Sequence, residues 1–365
     1  MPRRLSRWDD IVGTAMVEKC RLCGERHPLI SSFLGLCPAC ARKPESKAIA
    51  SEAHARSLES FGLKAPSGSG TRCGQCVNDC AMGEGERGLC GLRVNRSGRI
   101  VPVQQDGALV DWYYDPLPTN CVAQWVCSAE ASWYPSWKKN LAVFFYGCTF
   151  DCLFCQNWPH KEVQSSRAPL RPVERLVRGV DTDTYCVCFF GGDPTPQLQF
   201  ALRACDMWLA RPEMTPKICW ETNGSMSPAL ADRVADVSIR TGGTVKFDLK
   251  AFDENLHYSL CGVSNRRTLE NFRRLSRRGA EAEGVFLVAS TLLVPGYIDA
   301  GEVKAIAEFI AAFDPSIPYS LLAFHPDYLM ADLPMTSLKD AEEAMTAAKG
   351  AGLQNVHIGN VHVLA

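Results

Sequence analysis

The chain has 365 residues, enough for one large domain and a smaller one, with the composition of an ordinary globular protein. Its formal net charge of −1 lacks the excess of positive charge that is typical of nucleic-acid-binding proteins. The sequence contains no run of about 18 apolar residues that would predict a membrane-spanning helix. The N-terminal stretch MPRRLSRWDD lacks the apolar core of a signal peptide. We therefore expect a cytoplasmic protein.

Cysteine is the unusual component of this composition. The chain has 18 cysteines, and 13 of them lie before residue 156, mostly in spaced groups. Without an export signal, such a content argues against a disulfide framework. Grouped thiolates indicate metal binding, and a reducing, oxygen-poor cytoplasm is the setting that this chemistry requires.

The first group is Cys20-x2-Cys23 followed by Cys37-x2-Cys40. Four sulfurs in this pattern can form a tetrahedron around one ion, and the segment between the pairs is too short for a core of its own. A metal ion would then provide the folding energy. The pattern predicts a zinc-ribbon-like module over residues 1–45, with a rubredoxin-like iron site as the alternative.

Residues 46–70 are predicted to form a helix from about Ser46 to Phe61 and then a flexible linker. The linker is the run Ser67-Gly68-Ser69-Gly70, whose composition is typical of a domain boundary.

A second cysteine group occupies the start of a module predicted over residues 71–135. It reads Cys73-x2-Cys76-x3-Cys80-x9-Cys90, with glycines that let the backbone fold tightly around a buried ion or cluster. The spacing leaves two interpretations open, an auxiliary [4Fe–4S] cluster and zinc. Cys121 and Cys127 follow, and they either complete the ligands of this second site or are packing or surface thiols.

A third group lies directly after the apolar run Leu141 to Tyr146, which is predicted to be a buried strand. It contains Cys148, Cys152 and Cys155 at spacing C-x3-C-x2-C. Iron–sulfur clusters are normally held by four thiolates. Three ligands on one loop therefore leave one iron open to a small chelating molecule.

Strand and helix patterns alternate about six times from residue 136 to 365, which predicts a parallel sheet closed or nearly closed into a partial (βα)6 TIM-like barrel. Two helices are predicted at Arg266–Arg278 and Ala300–Phe313, the second with Asp299 as N-cap. The remaining predicted strands are Tyr185–Phe190, Lys217–Trp220, Thr244–Leu249, Val285–Val294 and Tyr319–Phe324.

Polar and glycine-rich residues follow these strands in the chain. Active sites of such barrels are built at the carboxyl ends of the strands. The pattern therefore places a site for a polar ligand at that end of the barrel. The residues concerned are Gly191-Gly192-Asp193-Pro194, Glu221-Thr222-Asn223-Gly224, Asp248, Lys250, Pro295-Gly296 and His325-Pro326.

The three-cysteine loop, with Phe154 before its third cysteine, resembles that of the radical S-adenosylmethionine (SAM) superfamily. Gly191-Gly192-Asp193-Pro194 is similar to the GGEP-type motif of that superfamily, with Asp in place of the commoner Glu. The blocks WETNG, LLVPGYID and LLAFHPDY, and the Cys73–Cys90 segment, are similar to pyruvate formate-lyase activating enzyme and its uncharacterised relatives. The resemblance covers roughly residues 70 to 365, so the zinc-ribbon module lies outside it.

The resemblance implies that a [4Fe–4S] cluster bound by Cys148, Cys152 and Cys155 cleaves SAM reductively to a 5′-deoxyadenosyl radical, which abstracts a hydrogen atom from a substrate. It also implies an electron donor such as ferredoxin or flavodoxin. The residues implied for SAM are Phe154 at the adenine, Gly191, Gly192 and Asp193 at the methionine end, and Asn223, Asp248, Lys250 and His325 around the cavity.

The other cysteines of the barrel have plainer interpretations. Cys186 and Cys188 are expected in the core, and Cys205, Cys219 and Cys261 are expected to be solitary structural thiols. Three interpretations of function remain open: an activase for a glycyl-radical partner, an enzyme modifying a peptide or small metabolite, and a non-enzymatic zinc-ribbon adaptor. Nucleic-acid modification has no support from the charge.

Overall fold

The structure is a computed structural model that describes residues 18–117, 121–127, 137–165 and 169–365, without the side chains of residues 163–165. The first residues of the predicted ribbon module and the predicted boundary at residue 135 lie outside these ranges.

A nine-stranded sheet forms the body of the molecule, in the order β15-β14-β13-β12-β11-β10-β8-β7-β9. Seven neighbouring strands, from β8 to β15, are parallel, and β7 and β9 extend the sheet antiparallel beyond β8. The bounds are β7 Ala108–Pro116, β8 Lys139–Phe145, β9 Leu170–Arg171, β10 Thr184–Gly191, β11 Lys217–Thr222, β12 Val245–Asp248, β13 Leu287–Leu293, β14 Tyr319–Ala323 and β15 Val356–Gly359.

Helices connect the parallel strands and cover the outer face of the sheet. The central strand β13 is buried at every position, as expected for a strand of a parallel sheet covered on both faces. On β11, Ile218 and Trp220 are fully buried and alternate with the less buried Cys219 and Glu221. The helices are α3 Pro159–Ser165, α4 Val173–Val177, α5 Leu198–Leu209, α6 Pro228–Thr241, α7 Glu254–Cys261, α8 Arg266–Ser276, α9 Ala300–Ala311 and α10 Leu338–Gly350.

The predicted α/β fold with a barrel-like parallel sheet is confirmed, and all six predicted strands are present. The predicted N-cap is confirmed as well, because the Asp299 side chain accepts a hydrogen bond from the Glu302 amide at 2.9 Å. The structure adds a seventh parallel strand, β15, and the antiparallel neighbour β7. Neither is apolar and buried along its whole length: β15 is only partly buried, and only the first three residues of β7 are buried.

The N-terminal elements pack against the barrel. Tyr297, in the loop after β13, donates from its hydroxyl to the Leu36 carbonyl at 2.7 Å. The linker region is also attached, since the Ser67 hydroxyl donates to Glu86 at 2.7 Å. The elements are β1 Glu18–Lys19, β2 Arg26–His27, α1 Pro38–Ala41, α2 Lys47–Glu59, β3 Thr71–Arg72, β4 Ala81–Met82, β5 Arg93–Arg96 and β6 Arg99–Pro102.

Short 3-10 turns complete the described chain, at Pro44–Ser46, Gln124–Val126, Thr195–Gln197, Pro212–Met214, Gly279–Glu281, Tyr328–Met330 and Val361–Val363. Among the described residues, no helix has the length and apolar character needed to cross a membrane.

Candidate active site

The cysteine loop leaves the carboxyl end of β8 and is fixed by backbone contacts. The Asp151 amide donates to the Cys261 carbonyl at 3.0 Å, and the Leu153 amide donates to the Leu260 carbonyl at 2.9 Å. The end of α7 therefore supports the loop directly. The loop is therefore held by the residues directly before and after Cys152.

Cys148, Cys152 and Cys155 all line one cavity of about 210 Å³ at the carboxyl end of the barrel. Burial raises the pKa of Cys148 well above its usual value and raises that of Cys155 to about 12. The pKa of Cys152 is lowered instead, mainly because its thiol is hydrogen-bonded to Cys261, at 3.5 Å between the two sulfurs. The three thiols thus lie together on a water-poor wall of the cavity.

Gly191 and Gly192 end β10 on the same cavity wall, where only glycine fits. A Cβ on Gly192 would lie 2.3 Å from the Gly147 carbonyl oxygen, and Gly191 has φ +120°. The Gly192 amide donates to the Phe145 carbonyl at 2.9 Å, so the glycine strand end runs against the start of the cysteine loop. Without side chains, both glycines leave their backbone exposed to the cavity that the three thiols also line.

Asp193 follows these glycines but points away from the cavity. Its buried carboxylate accepts hydrogen bonds from the Thr222 hydroxyl at 2.7 Å, the Asn223 amide at 3.0 Å and the Thr195 amide at 2.9 Å. The structure therefore places this side chain between two strand-end loops, outside the cavity lining, and its role at the methionine end of SAM stays a prediction.

Four other predicted residues, Phe154, Asn223, Asp248 and Lys250, do line the cavity. The Asn223 side-chain amide donates to the Thr149 hydroxyl at 2.8 Å. Lys250 forms an ion pair with Asp248 and lies 5.5 Å from the centre of the Phe154 ring. Burial opposes the charge of Lys250, but Asp248 and Cys152 raise the pKa of its ammonium, so it stays protonated.

His325 is the exception among the predicted cavity residues. It follows β14, as expected, but it is exposed and lies outside the cavity lining. Its role at SAM stays a prediction.

A buried network of charged and polar side chains supports the cysteine loop, and the sequence analysis did not predict it. Lys161 on α3 forms an ion pair with Asp151, and both side chains are at most 4% exposed. His54 and Ser57, both on α2, also hydrogen-bond the Asp151 carboxylate at 2.8 Å. The network joins the N-terminal helix to the loop. Its partners are up to about a hundred residues apart, so no local motif indicates it.

Cys261 is a further site residue that sequence reasoning missed. The expectation of a solitary thiol is wrong, because its sulfur contacts that of Cys152. The same expectation is wrong for Cys219, which is the strand neighbour of Cys188 in the ladder between β10 and β11.

The N-terminal cysteines form a compact group. Cys20, Cys23, Cys37 and Cys40 present sulfurs that all lie within 4.8 Å of one another, the one such potential metal-ligand group among the described residues. Burial opposes ionisation, but hydrogen bonds from the backbone of Cys23 and Cys37 lower the pKa of Cys20 to about 6. The chain therefore presents a preformed four-thiol site there.

The second cysteine module lies directly behind the cysteine loop. Cys73, Cys76, Cys80 and Cys90 line one small cavity together with Thr149. The Asn78 side-chain amide donates to the Thr149 carbonyl at 2.7 Å, and the Val77 amide donates to the Ser225 carbonyl at 2.9 Å. The four thiols thus share a cavity with Thr149, the residue that follows Cys148 in the chain.

Comparisons with known proteins show which family the barrel resembles. The model of the radical SAM superfamily matches residues 142–310. The barrel is therefore of the radical SAM type. An uncharacterised protein of Methanocaldococcus jannaschii is 26% identical over 297 residues, which is 80% of this chain and 81% of that protein.

Two further proteins that this chain resembles are activating enzymes. Pyruvate formate-lyase 1-activating enzyme of Escherichia coli is 27% identical over 191 residues, covering 50% of this chain and 73% of the relative. A crystal structure of a domain of pyruvate-formate lyase-activating enzyme from Bacteroides vulgatus covers 48% of this chain and 98% of that one, with a TM-score of 0.37 and 23% identity. By its sequence match to the Escherichia coli enzyme, the chain is activase-like.

The residues of this radical SAM barrel fit the [4Fe–4S] cluster and SAM that the family binds. Three thiols without a fourth on the same loop suit a cluster with an open iron. Two buried polar atoms, His160 Nδ1 and Asp248 Oδ1, have no hydrogen-bond partner among the described residues, and both residues line the cavity. Burial lowers the pKa of His160 to about 3, so its ring is neutral and can accept or donate one hydrogen bond to a bound ligand.

Proposed function

We propose that this protein cleaves SAM at a [4Fe–4S] cluster held by Cys148, Cys152 and Cys155 and uses the resulting radical to abstract a hydrogen atom from a substrate. The observation that carries the proposal is that the three thiols, the glycine strand end and four polar or aromatic residues face one cavity. When bound, the cluster and SAM supply the radical, and the chain supplies binding and orientation.

Each part of the cavity wall has a separate task in this proposal. Gly191 and Gly192 allow the methionine end of SAM to approach the backbone, and Asn223 and Asp248 offer hydrogen-bonding groups. Phe154 offers a ring face to the adenine. Lys250 keeps a positive charge beside Cys152, which favours the thiolate form that ligation requires. The burial of the thiols on this wall keeps water away from them, and exclusion of water protects a reactive radical from side reactions.

The test is anaerobic reconstitution with iron and sulfide, followed by incubation with SAM and a strong reductant. We expect 5′-deoxyadenosine to form with the native chain and to disappear in a Cys152→Ala variant. Cys205→Ala is the matched control, because Cys205 is also a fully buried thiol but lies on α5. A fully loaded native cluster without 5′-deoxyadenosine would overturn the proposal.

For the substrate, we propose a small metabolite or a peptide. The cavity, which Val122 from the segment before β8 helps to line, has a free volume of only about 210 Å³. A protein substrate is the second candidate, because the relatives named above are activating enzymes. An activase would produce a glycyl-radical electron paramagnetic resonance signal on an added partner enzyme, and a modifying enzyme would not.

The other metal sites follow from their thiols. We propose structural zinc at Cys20, Cys23, Cys37 and Cys40, since a closed tetrahedral four-thiolate site is typical of zinc. We propose an auxiliary [4Fe–4S] cluster at Cys73, Cys76, Cys80 and Cys90, because its position behind Thr149 suits electron transfer toward the loop. Zinc there is the alternative. Metal analysis of anaerobically purified protein tests both assignments.

A ferredoxin or flavodoxin is the proposed electron donor, and the reducing cytoplasm is the proposed location. Both follow from the low-potential electron that reductive SAM cleavage needs. Reduction of the clusters by a purified ferredoxin or flavodoxin, followed by absorbance under anaerobic conditions, tests the donor.

A further inference from the structure

A second group of thiols lies inside the barrel, on the inward faces of neighbouring strands. Cys186 and Cys188 alternate along β10 with Val187 and Phe189, which are fully buried against the helices. Cys219 on β11 is the ladder partner of Cys188. Strand alternation therefore turns all three thiols to the interior of the barrel.

The segment of residues 121–127 adds two more thiols from the opposite side. The Ser320 hydroxyl donates to the Val122 carbonyl at 2.7 Å, and the Trp125 indole donates to the Ser320 hydroxyl at 3.0 Å. Trp125 also stacks on His357 of β15, with ring centres 5.1 Å apart. These contacts hold the segment, with Cys121 and Cys127, inside the barrel.

Lys246 contacts one thiol of the strands and one thiol of the 121–127 segment. Its ammonium lies 3.1 Å from the Cys121 sulfur, 3.1 Å from the Cys188 sulfur and 3.1 Å from a Glu221 carboxylate oxygen. The two sulfurs are therefore no farther apart than twice that distance. The ammonium donates to one carboxylate and two sulfurs, and its charge opposes the rise that burial causes in the pKa of Cys121 and Cys188.

Cys127 ends the same segment, where its amide donates to the Gln124 carbonyl at 3.0 Å in the turn that contains Trp125. Burial raises the pKa of Cys186 well above its usual value, and the neighbouring thiols, including Cys127, raise it further. The pKa of Cys219 is also raised by burial, with Cys127 contributing in the same direction. Two thiols from the segment and three from the strands thus share one interior space.

The sulfur separations indicate which metal chemistry fits. Among the described residues, no three sulfurs of the barrel lie within 4.8 Å of one another as those of the N-terminal group do, and this holds for Cys148, Cys152 and Cys155 too. Single ions need close ligands, whereas an iron–sulfur core lies between its thiolates and separates them. Glu221, Lys246 and Val122 line the same cavity as the cysteine loop, so this group lies at the floor of the active site.

We propose that the interior thiols bind an iron–sulfur cluster inside the barrel, with Cys121 and Cys127 as ligands from the segment, Cys188 and Cys219 as ligands from the strands, and Lys246 as a hydrogen-bond donor to two of the ligating sulfurs. A substrate in the cavity would then lie between this cluster and the cysteine loop. The proposal goes beyond SAM cleavage and does not depend on it.

The test uses the full chain without its Cys148, Cys152 and Cys155 thiols, as the triple Cys→Ala variant, reconstituted anaerobically. Iron and acid-labile sulfide per chain are measured before and after adding Cys121→Ser and Cys127→Ser. We expect the two serines to remove about two or four irons with an equal amount of sulfide, which is one cluster. Cys205→Ser, added instead, is the control and leaves both contents unchanged.

Equal iron and sulfide in the background and the double-serine chain would overturn the proposal, as would an equal loss in the Cys205→Ser control. Near-ultraviolet circular dichroism confirms that each variant is folded. If a variant is not folded, Cys219→Ser in the same background repeats the test from the strand side, with the same expected loss. Because the background lacks the catalytic thiols, failure of SAM cleavage in the native chain would leave this result unaffected.

Discussion

The N-terminal thiols and the thiols of the β8 loop differ in what surrounds them. Cys20, Cys23, Cys37 and Cys40 converge on one another, within 4.8 Å, and leave space for little beyond an ion. Cys148, Cys152 and Cys155 face a cavity of about 210 Å³ that contains polar atoms without a partner among the described residues. A closed thiol site stabilises a fold, and an open one can bind and react. The predictions below test this difference.

The largest expected effect is on the closed site. Cys37→Ala should remove the metal and unfold the N-terminal module, because structural zinc contributes about 10–16 kcal/mol to such modules. Metal analysis should show the loss of one ion, and hydrogen exchange should show loss of protection over residues 18–45. Reconstituted 5′-deoxyadenosine formation should survive at reduced yield. Retention of the ion in Cys37→Ala would contradict the closed-site assignment.

The next effect concerns the support of the open loop. Lys161→Met leaves the Asp151 carboxylate buried without its cation, and breaking such a buried pair costs about 3–5 kcal/mol. We expect a decrease of that size in the free energy of unfolding, measured with urea. Lys139→Met is the matched control, because its ion pair with Asp181 is partly exposed and such pairs contribute only about 0–1 kcal/mol. Equal decreases would show that the network does not stabilise the loop.

Gly192→Ala tests the shape of the cavity wall itself. The added methyl would lie 2.3 Å from the Gly147 carbonyl oxygen and 2.9 Å from the His160 ring, both in or beside the cysteine loop. Overpacking of this kind costs about 1–3 kcal/mol of stability, and it should also weaken SAM binding. Equilibrium dialysis with labelled SAM measures the binding.

Gly279→Ala is the control for this substitution, because a Cβ at that position meets no atom within 4 Å. Unchanged SAM binding in Gly192→Ala would show that the glycine strand end does not contact the ligand.

The sequence predicted the parts of the molecule whose signal is local. Apolar runs such as Leu141 to Tyr146 define strands, and the spacing of Cys148, Cys152 and Cys155 defines the loop, because both patterns lie within one short segment. The strand β15 escaped prediction because a four-residue strand that is only partly buried has too weak an apolar pattern.

Side-chain contacts between distant segments were not predicted from the sequence, for another reason. Asp151 meets His54 across 97 positions, and Lys246 meets Cys121 across 125. Neither pair leaves a trace in the spacing of one segment, since the topology of the sheet creates both contacts. For the same reason Cys121 appeared in the sequence beside the second module, whereas the structure places it in the barrel.

The smallest effect is expected at Cys261, which is proposed to change the reduction potential of the open site without binding its iron. A ligating Cys152 has no proton, so in the loaded protein the proton between the two sulfurs must belong to Cys261, whose pKa burial raises well above its usual value. Cys261→Ala removes one neutral hydrogen bond to a cluster ligand, worth about 0.5–1.5 kcal/mol, and hydrogen bonds to cluster sulfurs set the reduction potential. The potential of the cluster should therefore fall by roughly 20–60 mV for a one-electron couple. Redox titration followed by electron paramagnetic resonance measures the shift, with Cys205→Ala as the matched buried thiol. Loss of the iron in Cys261→Ala would instead make Cys261 a fourth ligand, and the loop would then be a closed site like the N-terminal one.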